Sequence, residues 1–373
     1  MEGRNITVEF RGTLRPLYRE LLTNPPSGIQ YRLYDPRYAI LARKFSERTG
    51  IPGKLARRAY WRLRYNSFFD RTLLHLSNYW DYSPIRMRRK FVADTENVGT
   101  FITNWNFKNL ALPSIRKQIE DGIKSTYCKK ITPLTKAAQQ TMEAVLDLSQ
   151  VRNKIEVVYP AIRAMPTGER KKRENIRILF IGNDFQIKGG REVVEAFSVL
   201  RAKYDVELVI VSQEAYSRNL RTQEGVTILP SLSREILLRD WYPNSDIFCL
   251  PTYADSFGFV FLEAKAAGLP IVSTNHFHMP EIVQDGESGL LIKSPLSCWK
   301  SDFTYNPDWR DMLSHHFPEA VSELVQKLSI LIEDTSLRQQ MGEVGKQEVE
   351  NGRFSIDTRN KQLGRIYREA LES

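Results

Sequence analysis

A regular alternation of short apolar runs with helical segments in the second half of the chain restricts the fold more than any other feature of the sequence. Strands that alternate with helices of about 10–15 residues form βαβ units and therefore a parallel, doubly wound sheet. Such a sheet binds its ligand beyond the carboxyl ends of the strands. We predict strands at 176–182, 206–212, 226–230, 247–252, 270–274 and 288–292, helices at 190–204, 233–242 and 258–267, and a helical turn at 279–283.

The first half has the same kind of pattern in a less regular form, which predicts a second α/β domain. A chain of 373 residues is long enough for two domains. The segment 161–173 combines Pro, Gly and a run of charge without periodicity, as is typical of an interdomain linker. We predict an N-terminal domain at 1–165, a C-terminal domain at 166–354, and a final helix at 355–373 for which packing back on the N-terminal domain is one arrangement. The predicted strands of the first domain are 5–10, 29–34, 71–77, 90–96, 129–133 and 154–159.

Positive charge is concentrated in the first half. Residues 1–175 contain 33 Lys+Arg against 16 Asp+Glu, whereas residues 176–373 contain 21 against 28. A basic half implies a negatively charged partner, either nucleic acid or an anionic lipid surface. Nucleic acid is the less favoured of the two, because the basic residues form no helix-turn-helix, RNA-recognition or zinc pattern.

The stretch 38–65 is both basic and aromatic, with eight Lys/Arg and one Glu. This composition is typical of an amphipathic helix on anionic lipid, although a solvated helix face has it too. If it binds lipid, the residues that contact the acceptor or the membrane are predicted to be Arg57, Arg58, Trp61 and Arg62.

The sequence predicts neither a membrane span nor a disulfide framework. It has no run of about 18 apolar residues, and charged residues interrupt its first 25 positions, so we expect no transmembrane helix and no secretion signal. Cys128, Cys249 and Cys298 lack metal-site spacing, which predicts buried thiols in a reducing cytosol. We expect a cytoplasmic protein, attached peripherally to the inner face of a membrane if the basic stretch binds lipid.

The segment PTYADSFGFVFLEAKAAGLPIV at 251–272 carries the strongest local signal. It predicts a strand end, a polar loop and a helix whose free N–H groups and positive dipole end form an anion site. Its two carboxylates, Asp255 and Glu263, suit sugar and ribose hydroxyls. The alternative is that Asp255 only caps the helix and that Glu263 is a solvated or core-edge carboxylate.

The segment ILFIGNDFQIKGG at 178–190 is a second candidate for phosphate binding. A strand, Gly182, a polar loop, and then Lys188 and Gly189 at a helix start can hold phosphate, with Lys188 as a point charge for a diphosphate. The spacing fits neither a Walker A loop nor the dinucleotide-binding fingerprint. Taken alone, the segment is also compatible with an ordinary turn and a surface lysine.

Together, the two segments resemble the donor half of retaining GT-B glycosyltransferases, the group often called glycosyltransferase family 4. In that group a carboxylate, seven residues and a glutamate form the sugar-nucleotide motif, which appears here as Asp255 to Glu263 with the first glutamate shortened to aspartate. The stretch 270–292 is similar to the loop and strand that follow this motif. The resemblance implies an α/β GT-B fold of two Rossmann-like doubly wound domains that face each other across a cleft.

The resemblance also implies roles for individual residues. Glu263 is expected to hold the nucleotide ribose, Asp255 the donor sugar, and Lys188 the diphosphate. No metal and no other cofactor is implied, since the nucleotide sugar is itself a substrate. The expected donor-binding residues are Gly182, Asn183, Lys188, Gly189, Ser256, Phe257, Gly258 and Glu263.

Some positions depart from the pattern of the group. Asn183 stands where an arginine usually follows the glycine, so Arg191 or a basic residue of the first domain is a candidate replacement. His276-Phe277-His278 replaces Gly-Gly, which predicts an unusual sugar pocket. In the first domain, Glu96 stands where a histidine usually faces the donor sugar; it is a candidate acceptor of a sugar hydroxyl or a purely structural carboxylate. His75 is the other candidate there, although a lone histidine in an apolar strand is more often a core residue.

The sequence therefore predicts a retaining hexosyltransferase-type enzyme. It would move a sugar from a nucleotide-sugar donor, a UDP- or GDP-sugar above all, to a lipid-linked, glycan or otherwise anionic acceptor. The predicted catalytic residues are Lys188, Asp255 and Glu96, with electrostatic stabilisation supplying most of the rate. The alternatives are a non-catalytic protein of the same fold and a nucleic-acid-binding one that uses the basic half.

Overall fold

A computed structural model describes residues 5–12, 14–33, 72–77, 89–102, 105–165, 173–218 and 223–373. The chain divides into two compact units. Unit 1 comprises Met1–Pro160 together with Arg359–Ser373, and unit 2 comprises Ala161–Thr358. The sequence-based boundary lay after residue 165, within a predicted linker whose residues 166–172 fall outside the described part.

The core of unit 1, within the described residues, is a parallel sheet of five strands. They are β1 (Ile6–Arg11), β2 (Ile29–Leu33), β3 (Leu73–Ser77), β4 (Phe91–Thr95) and β5 (Cys128–Pro133). Their order is β2-β1-β3-β4-β5, so β2 and β3 lie on opposite sides of β1, and β4 and β5 extend the sheet beyond β3. β3 and β4 are buried at every residue, as expected for central strands of a parallel sheet.

Helices connect these strands. The described α-helices of this part are α1 (Pro16–Thr23), α2 (Pro113–Lys124) and α3 (Lys136–Glu143). Short 3₁₀ segments cover Val98–Phe101, Phe107–Ala111 and Arg152–Lys154. Proline begins α1 and α2, where its missing N–H costs no hydrogen bond.

The sixth strand predicted for this domain, at 154–159, is wrong. Ile155 forms a single isolated bridge with Ile131. The chain continues alongside β5, and its amides donate to the carbonyls of Ile131 and Pro133 at 3.1 and 3.0 Å. A second bridge would need an N–H at position 133, and Pro133 has none. The proline therefore limits the pairing at this edge to one residue.

In its described residues, unit 2 contains a parallel sheet of six strands, each at a place predicted from the sequence. They are β6 (Ile176–Ile181), β7 (Val206–Val211), β8 (Val226–Leu229), β9 (Ile247–Cys249), β10 (Ile271–Thr274) and β11 (Gly289–Ile292). Their order is β11-β10-β9-β6-β7-β8, the Rossmann order of two βαβαβ halves. The fold predicted from the sequence, two Rossmann-like α/β domains, is confirmed.

The described helices of unit 2 include those predicted at 190–204, 233–242, 258–267 and 279–283, with one change of type, and a short one at Gln213–Ser217 that was not predicted. They are α4 (Gly190–Arg201), α5 (Gln213–Ser217), α6 (Arg234–Ile236), α7 (Phe259–Ala266), α8 (Met279–Ile282), α9 (Pro318–Glu333) and α10 (Thr335–Glu350). The helix predicted at 233–242 begins as α6 and continues as a π-helical turn at Leu237–Trp241. The irregular loop at 294–317 includes a 3₁₀ segment at Pro307–Ser314. No helix within the described ranges is both long and apolar enough to cross a membrane.

The last helix, α11 (Ile356–Glu372), supplies polar groups to the core of unit 1. The hydroxyl of Tyr367 lies 2.5 Å from Nδ1 of His75 and 2.8 Å from the hydroxyl of Tyr31. Nε2 of His75 lies 2.8 Å from Asp94, whose other oxygen accepts a hydrogen bond from Thr132. His75 is thus a fully buried core residue with both ring nitrogens paired, and residues Arg359–Ser373 belong to unit 1.

Helix α10 packs directly on α7. Lys265 of α7 is fully buried and donates to Ser288 at 2.9 Å and to Glu348 of α10. Gly342 of α10 lies against Gly268, so closely that a Cβ at Gly342 would stand 2.1 Å from the Gly268 carbonyl oxygen. The absence of a side chain at Gly342 therefore sets the distance between the two helices.

We expect Gly342→Ala to destabilise the protein by about 2 kcal/mol, because its methyl group must push backbone apart and overpacking outweighs the better helix propensity of alanine. Gly345→Ala on the same helix is the matched control, since its methyl would meet the Lys265 side chain at 3.1 Å rather than backbone. Thermal unfolding of both variants measures the difference. Equal melting temperatures would contradict the packing argument.

Candidate functional site

The most favourable place for a ligand in unit 2 is the point where its sheet changes direction. β6 and β9 are neighbours, but the chain continues from β6 to β7 on one side and from β9 to β10 on the other. A crevice opens at such a point beyond the carboxyl ends of the two strands. The loops that begin there, at 182–189 and 250–258, are the two segments that the sequence singled out.

Glycine allows these two loops to touch. Gly189 has a φ of +72°, and a Cβ there would lie 2.4 Å from the carbonyl oxygen of Pro251. The amide of Tyr253 donates to the carbonyl of Ile187 at 2.9 Å. Only glycine tolerates both this conformation and this approach. The contact brings the side chain that precedes Gly189 to the neighbouring loop.

That side chain, Lys188, forms an ion pair with Asp255. Its Nζ donates to Oδ2 of Asp255 at 2.6 Å and to the carbonyl of Ala254 at 2.9 Å. The two side chains are 16% and 13% exposed. Burial by itself raises the pKa of Asp255, but the charge and hydrogen bond of Lys188 outweigh it and hold the pKa below its ordinary value. Asp255 is therefore negatively charged at neutral pH. An ammonium has three N–H donors, so Lys188 has the capacity for a ligand as well.

Two helices begin in these loops without side-chain caps. The residues before α4 and α7 are Gly189 and Gly258, both in the left-handed region, and no side chain caps either helix. Asp255 accepts a hydrogen bond from the amide of Ser256 at 2.9 Å and does not cap α7. Phe257 is buried beside Gly258. The amides at the start of α7 thus form the kind of helix terminus that binds anions.

Glu263 lies within α7 and is 3% exposed. Its Oε1 accepts a hydrogen bond from Nε of Arg234 at 2.5 Å, and its Oε2 accepts one from the hydroxyl of Tyr242 at 2.9 Å. Glu263 is therefore neither a solvated nor a core-edge carboxylate. It is a buried, charge-paired acceptor on the helix that starts beside Asp255.

Asn183, which follows β6, bonds a residue in the loop after β8, the edge strand of the sheet. Its side-chain oxygen accepts a hydrogen bond from the hydroxyl of Ser231 at 2.6 Å, and its carbonyl accepts one from Ser212 at 3.2 Å. Gly182, the residue before it, lies against the Lys188 side chain, and a Cβ there would be 2.8 Å from Cγ. Asn183 is thus an exposed polar residue between the loops that follow β6, β7 and β8.

Arg191, a candidate replacement for the missing arginine, is already engaged. It donates to Oε1 of Glu192 at 2.9 Å and to the carbonyls of Ser314 and His315. Its guanidinium therefore connects α4 to the loop at 294–317. A role for it in binding phosphate would require these contacts to be exchanged.

An aromatic cluster replaces Gly-Gly in this loop. It is formed by His276-Phe277-His278 and the rings that they contact. Phe277 has a φ of +52°, which keeps the backbone conformation that glycine favours, and its ring stacks on Trp299 at 5.2 Å. Nε2 of His278 lies 3.0 Å from the carbonyl of Phe257, and the two rings are parallel. Nδ1 of His276 lies 2.9 Å from the hydroxyl of Ser297. Burial lowers the pKa of His276 to about 3 and also lowers the pKa of His278, so both rings are neutral at pH 7.

In unit 1, the candidate Glu96 follows β4 and is 1% exposed. Its carboxylate is paired with Arg15, which is 36% exposed, and its amide donates to the hydroxyl of Thr100 at 3.2 Å. Arg57, Arg58, Trp61 and Arg62 lie outside the described residues. Glu96 lies at a strand end of unit 1, whereas the donor candidates lie in unit 2.

The cysteines behave as predicted. All three are buried, and burial raises the pKa of the Cys128 and Cys298 thiols to about 12. In the part of the chain that the structure describes, no group of three or more His, Cys, Asp or Glu side chains is arranged to hold a metal ion.

Sequence reasoning missed the partners of the predicted residues. Arg234 and Tyr242 hold Glu263 from a segment that precedes it by more than 20 residues, and Ser231 holds Asn183 from the loop after β8. No local spacing pattern marks these residues. The available signal was the strand order, which brings the ends of β6, β8 and β9 to one edge of the sheet.

The buried histidines make a pH dependence predictable. An ordinary histidine titrates near pH 6.5, whereas His276 does so near 3 in the folded chain, so between these values only the unfolded chain binds the proton. Stability is therefore fully present above pH 6.5 and falls with pH by about 1.4 kcal/mol per unit. Between pH 7 and 5, we expect the free energy of unfolding to fall by about 2 kcal/mol less in His276→Asn than in the natural protein.

Urea denaturation at the two pH values measures this difference. His316→Asn is the control, because His316 is an exposed histidine of the same unit. The same pH slope in the natural protein and in His276→Asn would show that His276 titrates normally.

Comparison with known proteins identifies relatives of the chain. Residues 175–297 match the family model described as Glycosyl transferases group 1. The chain is 27% identical over 208 residues to the capsular polysaccharide biosynthesis glycosyltransferase CapM of Staphylococcus aureus, covering 53% of this chain and 47% of that protein. It is 25% identical over 264 residues to the D-inositol 3-phosphate glycosyltransferase of Paenarthrobacter aurescens, covering 64% and 62%. The chain thus spans less than two thirds of the length of these curated relatives.

Solved structures extend the similarity to both units. A glycosyltransferase of Rickettsia africae aligns with a TM-score of 0.63 at 15% identity and covers 99% of each chain. The Anabaena protein HepE, in complex with UDP-glucose, aligns with a TM-score of 0.62 at 14% identity and covers 96% of this chain and 98% of its own. The likeness to these structures is one of fold over both units, and the match to the group 1 model lies within unit 2.

Proposed function

We propose that the protein transfers a sugar from a nucleotide-sugar donor to an acceptor with retention of the anomeric configuration. The observation that carries this proposal is the Lys188–Asp255 ion pair at the β6/β9 switch point, beside the uncapped start of α7. A cation and helix amides match a diphosphate, whereas a charged carboxylate matches the hydroxyls of a sugar. The group 1 match over 175–297 supports the same assignment.

In this proposal the donor lies along the edge of the unit 2 sheet. Lys188 and the amides of Phe257 and Gly258 bind the diphosphate, Asp255 binds the sugar, and Glu263 receives the ribose hydroxyls. The nucleotide base lies near Ser231, which follows β8 and bonds Asn183 in the loop after β6. A uridine nucleotide is favoured over a guanosine nucleotide because HepE is described with UDP-glucose and pneumococcal GtfA with UDP and GlcNAc.

The chemistry needs no strong protein base. The bond between the anomeric carbon and the leaving phosphate oxygen breaks, the acceptor oxygen bonds to the same face of that carbon, and its proton passes to the leaving phosphate. Lys188 and the helix amides stabilise the charge that develops on the diphosphate. The lowered pKa of Asp255 supports this route, because such a carboxylate is a weak base but a good partner for a positively charged sugar ring. No step requires a metal ion.

The acceptor is assigned to unit 1. Glu96 with Arg15 at the end of β4 is the proposed place where an acceptor hydroxyl and an anionic group are steered. The basic character of residues 1–175 supports an anionic or lipid-linked acceptor, and the curated relative from Paenarthrobacter is named for a phosphorylated inositol. The segment with Arg57, Arg58, Trp61 and Arg62 is proposed to bind an anionic membrane surface on the cytoplasmic side.

A donor panel tests the proposal. UDP-, GDP-, ADP- and CMP-sugars are added to the purified protein, and the melting temperature is measured with and without EDTA. One nucleotide class at 100 times its dissociation constant should stabilise the protein by about 2.7 kcal/mol, and EDTA should leave this unchanged. Proton NMR of the sugar released by slow donor hydrolysis then reports the anomer, which should match that of the donor. Release of the opposite anomer would refute retention, and no stabilisation by any donor would refute the donor site.

Lys188→Ala should lower kcat/KM for the donor by about 10²–10³-fold, because the leaving diphosphate loses its principal cation. Lys300→Ala, an exposed lysine of the same unit, is the matched control and should keep normal activity. Steady-state donor hydrolysis measures both variants after their melting temperatures confirm folding. A folded Lys188→Ala variant with normal kcat/KM would exclude a role for Lys188 in leaving-group stabilisation.

A further inference from the structure

One segment of unit 2 supplies both side chains that hold Glu263. Ser233 caps α6 by accepting a hydrogen bond from the amide of Ile236 at 3.3 Å. The first residue of α6 is Arg234, and Tyr242 follows the π-helical turn that continues it. These two side chains bond opposite oxygens of the Glu263 carboxylate, at 2.5 and 2.9 Å. Two donors, one of them a guanidinium, thus compensate the burial of a carboxylate that is 3% exposed.

The π-helical turn explains how one segment reaches both oxygens. In a regular α-helix, residues eight apart are separated by two turns and about 80°, so Arg234 and Tyr242 would point in different directions. A π turn takes up one extra residue, and the remaining seven steps make two turns to within about 20°. The amide of Tyr242 donates to the carbonyl of Leu237 at 3.0 Å, which is the five-residue step of such a turn. The departure from regular helix therefore places both donors on one face.

Both partners donate hydrogen bonds to the Glu263 carboxylate. Burial and the negative charge of Glu263 raise the pKa of Tyr242 well above its ordinary value, so the hydroxyl keeps its proton and donates to Oε2. Arg234 is a permanent donor, and its guanidinium also lies over the ring of Phe259 at 5.4 Å, which fixes its position. The two hydrogen bonds, one to each oxygen, thus fix the plane of the Glu263 carboxylate. A carboxylate oxygen accepts more than one hydrogen bond, so Glu263 keeps the capacity to receive ligand hydroxyls.

We propose that Tyr242 and Arg234 are positioning residues that aim Glu263 at the ribose of the donor and make the site selective for ribonucleotides over deoxyribonucleotides. This inference rests on the proposed function, in which Glu263 receives the ribose hydroxyls. A buried acceptor with a fixed orientation loses a hydrogen bond when the ligand lacks a hydroxyl, whereas an acceptor that can rotate loses less. Tyr242 and Arg234, which hold Glu263 from both oxygens, are called the clamp. Selectivity for the ribose hydroxyl is therefore the property that the clamp creates.

Tyr242→Phe tests the clamp because it removes one hydroxyl and keeps the ring. The probes are UDP or GDP, whichever binds the natural protein more tightly, and its 2′-deoxy and 3′-deoxy analogues, measured by isothermal titration calorimetry. We expect the natural protein to prefer the ribonucleotide by about tenfold or more over at least one analogue. Tyr242→Phe should weaken binding of the ribonucleotide about tenfold and reduce this preference to about twofold. With a nucleotide sugar, its KM should rise while kcat changes little, because the ribose is remote from the reacting carbon.

Phe248→Leu is the control for a purely structural role. Phe248 packs on the ring of Tyr242 with centroids 5.9 Å apart, so this variant disturbs the packing and keeps the hydroxyl. It should lower the melting temperature and leave the ribonucleotide preference as in the natural protein. If Tyr242→Phe does not fold, Arg234→Gln replaces it, with the same loss of preference expected.

The outcomes separate the two proposals. Binding of the nucleoside diphosphate with an unchanged ribonucleotide preference in Tyr242→Phe, or in Arg234→Gln where Tyr242→Phe does not fold, overturns the clamp alone. Absence of nucleotide binding by the natural protein overturns the proposed function and the clamp with it. Loss of preference in Tyr242→Phe together with retained preference in Phe248→Leu supports the clamp.

Discussion

The candidate site of unit 2 depends on one steric contact, the approach of the Gly189 backbone to Pro251. Because no Cβ intervenes, the loops after β6 and β9 share a backbone hydrogen bond, and Lys188 reaches Asp255 with little freedom. Any side chain at Gly189 would push the two loops apart and separate Lys188 from Asp255. The Lys188–Asp255 ion pair and the uncapped starts of α4 and α7 all lie in these two loops. Their positions relative to one another therefore depend on this contact.

The carboxylates of the site are arranged for different tasks. Asp255 is held by the ammonium of Lys188 and the amide of Ser256 at the edge of the crevice, whereas Glu263 is held by a planar guanidinium and a phenol inside the protein. A carboxylate of the first kind can exchange its partner with a ligand at modest cost. A carboxylate of the second kind keeps its orientation, because two hydrogen-bond donors hold its two oxygens. The same chemical group thus serves as an adaptable contact at one position and a rigid one at the other.

The sequence predicted the fold well because β-branched runs and intervening helices are local patterns, and strands that alternate with helices form a parallel, doubly wound sheet. It also predicted the two loops, since glycine and lysine at a strand end are visible in the sequence. It could not predict the partners of Glu263, because Arg234 and Tyr242 reach it only through a π turn that no spacing pattern marks. The strand expected at 154–159 failed for a reason that lies on the neighbouring strand, where Pro133 cannot donate.

The histidine of unit 1 is a similar case. His75 sits in a run of apolar residues, so its core position was the ordinary expectation, but its partners Asp94 and Tyr367 come from a neighbouring strand and from the last helix. Tyr367 has consequences for synthesis of the chain. The first 160 residues of unit 1 emerge from the ribosome long before Arg359–Ser373. At about 5–20 residues per second, the interval is roughly 10–40 s. During that time His75 has no hydroxyl partner from α11.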